Sequence, residues 1–178
     1  DIRALFAVYE QAETRLFRIL AEEGIEDLDA LAGEIFARSE RSMRQAIAAV
    51  PDGEVTDEVT SDGFEHPVTI RLRLGVKGDA LSLDFTGTDP QIARPVNSPL
   101  NFSRAYSHYA VKCAFDPETP NNDGCFRPIR FIAPEGSIVN PRRPAPVWGR
   151  HLTGHYLPIL VLAALGRLIP DRVIAECG

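Results

Sequence analysis

The sequence predicts an α+β fold, and three observations predict it. Two apolar stripes of helical period fill residues 1–50; the period falls to two between residues 68 and 86; the remainder mixes helical patterns with Pro- and Gly-rich turns. The expected order is an N-terminal α-hairpin, a small antiparallel sheet, a central helix, a loop-rich segment and a C-terminal helix. Residues 1–50 would form the hairpin and 53–178 the α+β part, within a single unit.

In residues 1–23, Leu5, Tyr9, Ala12, Leu16, Ile19 and Leu20 share one helical face, and Gly24 ends the helix. Asp27 is a good N-cap for a second helix, with Leu28, Leu31, Ile35, Met43, Ile47 and Val50 on its buried side. Glu34–Arg38 and Glu40–Arg44 are favourable i, i+4 pairs on the other side, and Pro51-Asp52-Gly53 stops the helix. Val68, Ile70, Leu72, Leu74 and Val76 then alternate with polar residues. After Lys77-Gly78-Asp79, Leu81, Leu83 and Phe85 do the same, the signature of a half-buried β-hairpin. Residues 53–61 read as a weaker, polar edge strand.

Ser98-Pro99 supplies an N-cap and first-turn pair for a helix running to Phe115, with Phe102, Tyr106, Tyr109, Cys113 and Ala110 inward. Asp116-Pro117 breaks it. Arg130–Ala133 and Ile138-Val139 suggest short strands inside the loop-rich segment. A last helix is expected from about Thr153, with Pro158 in its first turn, ending before Pro170. Val173-Ile174 begin a further strand-like pattern. The absence of an initial Met suggests a piece of a longer polypeptide.

Composition narrows the function. The chain is 44% hydrophobic and 25% charged with a net charge of −6, which offers no global field for nucleic acid or anionic membrane. The apolar run Leu157–Leu165 is far short of the roughly 20 residues a membrane span requires. Cys113, Cys125 and Cys177 lack paired spacing, which fits reduced thiols in a cytoplasmic protein rather than a disulfide scaffold or zinc ribbon. Neither a phosphate-binding Gly-x-x-x-x-Gly-Lys-Ser/Thr loop nor a dinucleotide fingerprint is present.

Chemistry concentrates in the turns. Asn121-Asn122-Asp123-Gly124-Cys125-Phe126-Arg127-Pro128-Ile129-Arg130 carries a thiol, a carboxylate, amides and two arginines. Cys125, beside Gly124 and two residues before Arg127, is either a nucleophile of lowered pKa or a small buried residue that locks the loop; with no histidine nearby in sequence, the lock is favoured. His151 and His155 have helical spacing, but Leu-Thr-Gly between them lacks the glutamate of a zinc-protease motif. An anion-binding or capping role is favoured over a metal pair. Asp84-Phe85-Thr86-Gly87-Thr88-Asp89 ends a strand either as a site or as an Asx-type turn.

Together, Leu83–Thr88, Val96–Leu100, Tyr109–Cys113, Asn122–Ile129, Ala133–Pro141 and Gly149–Thr153 occur in an order and spacing that resembles the hydantoinase B/oxoprolinase family. The resemblance implies part of the B-type component of an ATP-dependent cyclic-amide hydrolase that opens hydantoins or 5-oxoproline. The alternatives are an acetone/acetophenone-type carboxylase subunit and a non-catalytic scaffold segment of such a complex. It further implies a hetero-oligomer with a hydantoinase A-type subunit that uses ATP, and a divalent metal held by an N-terminal part outside this sequence. A small-molecule cyclic amide or ketone is the implied substrate. Within the matching segments, Arg127, Arg130, Arg150 and His151 are the cations suited to an anionic intermediate. Asp84 and Asp123 are suited to orienting water or a ring N–H. Cys125 completes the candidate set.

Overall fold

A computed structural model describes residues 2–172; Val173-Ile174 and Cys177 lie outside them. The helices α1 (Ile2–Glu22) and α2 (Leu28–Ala48) are followed by strands β1 (Gly53–Ser61), β2 (Val68–Lys77) and β3 (Ala80–Asp84). Then come α3 (Leu100–Phe115), a 3-10 turn (Asp123–Phe126), β4 (Ile129–Ile132), α4 (Arg150–Gly154), α5 (Tyr156–Leu168) and a short 3-10 turn (Pro170–Arg172). The α+β class and order match the expectation.

The sheet runs β1-β2-β3-β4. β1–β2 and β2–β3 are antiparallel, whereas β4 lies parallel to β3, Leu81 opposite Ile129 and Asp84 opposite Ile132. The expected antiparallel sheet is therefore mixed, because the connection through α3 is long enough for the crossover that parallel pairing requires. The polar segment 53–61 is a full edge strand, paired with β2 from Gly53–Val76 to Ser61–Val68. Its alternate residues are half-buried, and Arg167 from α5 reaches Thr56 O at 3.2 Å and Asp57 Oδ2 at 3.1 Å.

One face of β2 and β3 forms the core, where Ile70, Leu72, Leu74, Val76, Leu81, Leu83 and Phe85 meet Met43, Ile47, Val111, Leu157, Val161 and Leu165. Asp27 caps α2 as expected, Oδ1 accepting from Asp29 N at 2.9 Å and Ala30 N at 3.1 Å. The apolar side of α2 divides, however. Met43 and Ile47 are fully buried, while Leu28, Leu31 and Ile35 are exposed. The neighbours of α2 meet it from Phe36 onward: Gly124 packs on Phe36, Asn122 bonds Ser39 and Thr119 bonds Ser42. In α1 no residue is buried, and Leu5, Tyr9, Leu16 and Ile19 all face outward. Glu34 pairs with Arg41 at 3.0 Å rather than with Arg38; Glu40 pairs with Arg44 at 2.7 Å as expected.

α3 is turned relative to the sequence reading. Tyr109 is 63% exposed, and Ser103, Ser107, His108 and Lys112 are buried with Ala110 and Val111. Small serines permit this close approach. Ser103 Oγ donates to Val139 O at 2.7 Å, and Ser107 Oγ donates to Ser103 O at 2.9 Å. Ser98 is not the N-cap: Pro99 occupies that position, and Ser98 Oγ instead bonds Ser103 Oγ at 2.7 Å. Ile138 and Val139 are buried but form a turn, not a strand, with Ile138 N donating to Asp89 O at 3.0 Å and Ser98 N donating to Ile138 O at 2.8 Å. The last helical region begins at Arg150 and breaks at His155, so Pro158 falls in the first turn of α5.

Candidate active-site cleft

The Asp84–Asp89 segment is a corner built of side chains. Asp84 Oδ1 accepts from Thr86 N at 2.9 Å, the Asx-type turn, and Oδ2 accepts from the Arg73 guanidinium. Burial works to raise the Asp84 pKa, but the hydrogen bonds from Thr86 and Arg73 prevail and hold it below the usual range. Beyond the end of β3, the same segment continues to pair with β2 through side chains. Thr88 Oγ1 accepts from Arg71 N at 3.0 Å and donates to Arg71 O at 3.1 Å; Asp89 Oδ2 accepts from Thr69 N at 2.8 Å. Hydroxyl and carboxylate thereby satisfy backbone groups that a longer β3 would have satisfied.

The segment 118–130 is fixed equally firmly. Asn122 Oδ1 accepts from Gly124 N at 3.0 Å, and Nδ2 donates to Ser39 Oγ at 2.8 Å and Pro120 O at 3.1 Å. Gly124 lies so close to α2 that a Cβ there would stand 2.0 Å from the Phe36 carbonyl oxygen. Cys125 is fully buried, its Sγ directed at Pro120 O at 3.5 Å, the geometry of a packing residue.

This fixed turn delivers Arg127 to a row of alternating charge. Arg127 Nε donates to Asp123 Oδ2 at 3.1 Å and its NH1 to Glu40 Oε2 at 3.4 Å. Arg44 binds the other oxygen of Glu40 at 2.7 Å and reaches Asp79 at 3.3 Å. The Arg44 hydrogen bond, reinforced by Arg127, keeps Glu40 below the usual carboxylate range against the opposing effect of burial. Beside this row opens a cleft of about 600 Å³ whose lining includes Arg44, Lys77, Ser82, Arg127 and Arg130, together with Asp52 and Glu54. Lys77 and Arg130 are exposed, and among the described residues neither enters an ion pair. Arg44 and Lys77 escaped the sequence reading as site residues. The Glu40–Arg44 spacing signals only a helix-surface pair, and Lys77 sits in an ordinary hairpin turn.

The other candidates lie elsewhere. α4 is held by Thr153 Oγ1 donating to Val96 O at 2.6 Å, and by Gly149, where a Cβ would stand 2.9 Å from Pro95 O. From that seat Arg150 lies over the Phe102 ring at 5.3 Å, and exposed His151 and His155 have ring centroids 6.2 Å apart. No residue of α4 lines the cleft. The seven candidates thus fall into three groups: Asp84 at the sheet corner, Asp123, Cys125, Arg127 and Arg130 in or just after the turn beside the cleft, and Arg150 with His151 on α4.

The side chains of the described residues do not suit a divalent metal. Among the described residues no three His, Cys, Asp or Glu side chains group as ligands, and the His151–His155 pair has no third member. No described helix is long and apolar enough to cross a membrane.

Comparison with known proteins agrees with the resemblance seen in the turns. The chain is 32% identical over 192 residues to a Pseudomonas sp. (strain NS671) protein provisionally named as the B component of a D-/L-hydantoinase, covering 100% of this chain and 32% of that protein. It is 27% identical over 179 residues to 5-oxoprolinase 1 of Arabidopsis thaliana, covering 92% of this chain and 14% of the relative. The chain therefore spans about a third or less of these curated relatives. The fold recurs in the ATP-dependent caprolactamase of Pseudomonas jessenii, with TM-score 0.86, 22% identity, and 97% of this chain against 30% of that one. It recurs again in an acetone carboxylase, with TM-score 0.76, 18% identity, and 90% against 24%. The Hydantoinase B/oxoprolinase profile matches residues 1–178 from end to end, and the chain belongs to that family.

Proposed function

We propose that this chain is a section of the B-type component of an ATP-dependent cyclic-amide hydrolase, opening a hydantoin or 5-oxoproline ring with an ATP-using A-type partner in a cytoplasmic hetero-oligomer. The observation that carries the reading is the meeting of Arg127 and Arg130 with Lys77 in one cleft of an acidic protein. An unstrained amide is a poor electrophile. Phosphorylating its carbonyl oxygen creates a leaving group and an anion that must be held while water is admitted in order.

In this reading Arg130 and Lys77 contact the anion directly. Arg127 flanks them, and Asp123 and Glu40 keep its guanidinium in place before substrate arrives, so little reorganisation remains at the reacting step. Cys125 acts through packing and Asp84 by closing the sheet corner. ATP is bound by the A-type partner, and no step is assigned to a metal on these residues.

A scaffold role is favoured for one part of the chain by the position of α4. Arg150 and His151 are exposed and neither lines the cleft, as suits groups that meet another part of the full-length protein or its partner.

Substrate-dependent ATP cleavage by the full-length protein, co-purified with its A-type partner, tests the reading. Stimulation by a hydantoin or by 5-oxoproline is expected. Stimulation only by acetone with bicarbonate transfers the protein to the carboxylase reading, and silence from an assembled complex overturns both.

A further inference from the structure

Three buried side-chain polar atoms among the described residues have no hydrogen-bond partner in the protein, and all three lie along one face of α3: His108 Nε2, Lys112 Nζ and Asp116 Oδ2. Their residues are separated by four, so each stands one turn from the next. All are more than nine-tenths buried, at 8%, 5% and 9% exposure. Lys112 Nζ lies 3.9 Å from Asp116 Oδ1, an ion pair by charge but too long for a hydrogen bond. The other contact of that oxygen is Thr119 Oγ1, which donates to it at 2.9 Å. Asp116 is the C-cap of α3, where a carboxylate opposes the helix dipole, so it needs the ammonium beside it.

Unpaired buried groups cost free energy, charged ones most of all, and three in one row point to something that pairs with them. The chemistry of the row selects its ligand. An anion suits Lys112 and is repelled by Asp116 Oδ2; a cation suits Asp116 and is repelled by Lys112. Only a neutral molecule that both donates and accepts satisfies the two together, and water is the small molecule that buried polar groups ordinarily hold. We propose that Lys112 and Asp116 form an internal water site, in which one water accepts from Nζ and donates to Oδ2, and its hydrogen-bond chain ends on His108 Nε2.

The site has a mechanical consequence. Thr119 Oγ1, bonded to Asp116, also bonds Ser42 Oγ of α2 at 3.2 Å, and Asn122 a few residues on is tied to Ser39. The hydrated pair is thus the inner anchor of the turn that leads to Arg127, and Lys112 is a positioning residue for it. This inference does not depend on which reaction the complex performs.

A high-resolution crystal structure of the full-length protein tests it directly. The expected result is an ordered water within about 2.6–3.2 Å of both Lys112 Nζ and Asp116 Oδ2. Direct contact of Nζ with the carboxylate, or a hydrogen bond to Oδ2 from a side chain elsewhere in the full-length protein, would overturn it. Lys112→Arg supplies the second arm, because the longer guanidinium reaches the carboxylate and displaces the water. Loop amide exchange in that variant should stay within about twofold of the wild type, whereas Lys112→Met or Asp116→Asn should raise exchange at Gly124 and Cys125 at least tenfold, the scale of about 1.4 kcal/mol. Unchanged exchange in both of the latter variants would remove the anchoring role.

Discussion

α1 and α3 reverse one another. α1 carries the plainer amphipathic pattern, with Leu5, Tyr9, Leu16 and Ile19 in register, yet buries no residue. α3 shows a blurred pattern of serine, histidine and lysine, yet lies in the middle of the core with Ser103, His108, Lys112 and Val111 enclosed. Periodicity reports which face of a helix is fit for burial. Whether that face is buried depends on what the rest of the chain brings against it, and α3 gains its neighbours from long-range contacts to β4, α5 and residues 137–140. The lesson extends to α2, buried where residues 119–126 reach it and exposed before that point.

Several substitutions sharpen this contrast. The largest effect is expected from acid at His108. The unfolded chain takes up a proton near the ordinary value of 6.5, whereas burial, aided by Arg104, lowers the folded value to about 4. Stability should therefore fall as pH drops from about 6.5 to about 4, by roughly 3 kcal/mol from this residue alone. His108→Phe keeps the stacking on Phe126 and should flatten that part of a denaturation-against-pH profile. A slope unchanged in the variant would place the titration elsewhere.

Gly124→Ala comes next. Its Cβ meets the Phe36 backbone, so two main chains must part, and a loss of about 1–3 kcal/mol is expected in chemical denaturation. Gly33→Ala is the counterpart in the exposed half of α2. It meets nothing within 4 Å and should stabilise by about 0.5–1 kcal/mol through helix propensity. The smallest effect belongs to α1, where Leu16→Ala should change the stability of this section by less than about 0.5 kcal/mol. A larger loss in the full-length protein would show that the stripe is covered there.

Legibility followed the same division. The helices α1 and α2, the β2–β3 hairpin, the end of α3 at Phe115 and the capping by Asp27 were readable because each rests on local pattern or cap chemistry. The parallel pairing of β4 and the turn at Ile138-Val139 depend on partners remote in sequence and were not, whereas the edge strand over residues 53–61 was readable in its full length. At the site, the turn residues around Asn122 and Arg127 stood out through composition. That Arg127 would join Arg44 through Glu40, or that Arg150 and His151 would sit apart from it, required the fold. The buried row on α3 left only an i, i+4 spacing, which ordinarily marks a solvent-exposed pair.

The most direct test of the cleft is Arg130→Ala in the complete complex, comparing ring-opened product formed per ATP cleaved with that of the wild type. Arg130 is exposed and unpaired among the described residues, so the variant should fold and assemble normally. The account predicts an intact complex whose product formation falls at least tenfold while ATP cleavage persists, as an activated intermediate escapes unheld. Wild-type coupling in that variant and in Lys77→Ala would contradict the assignment of the anion to this cleft.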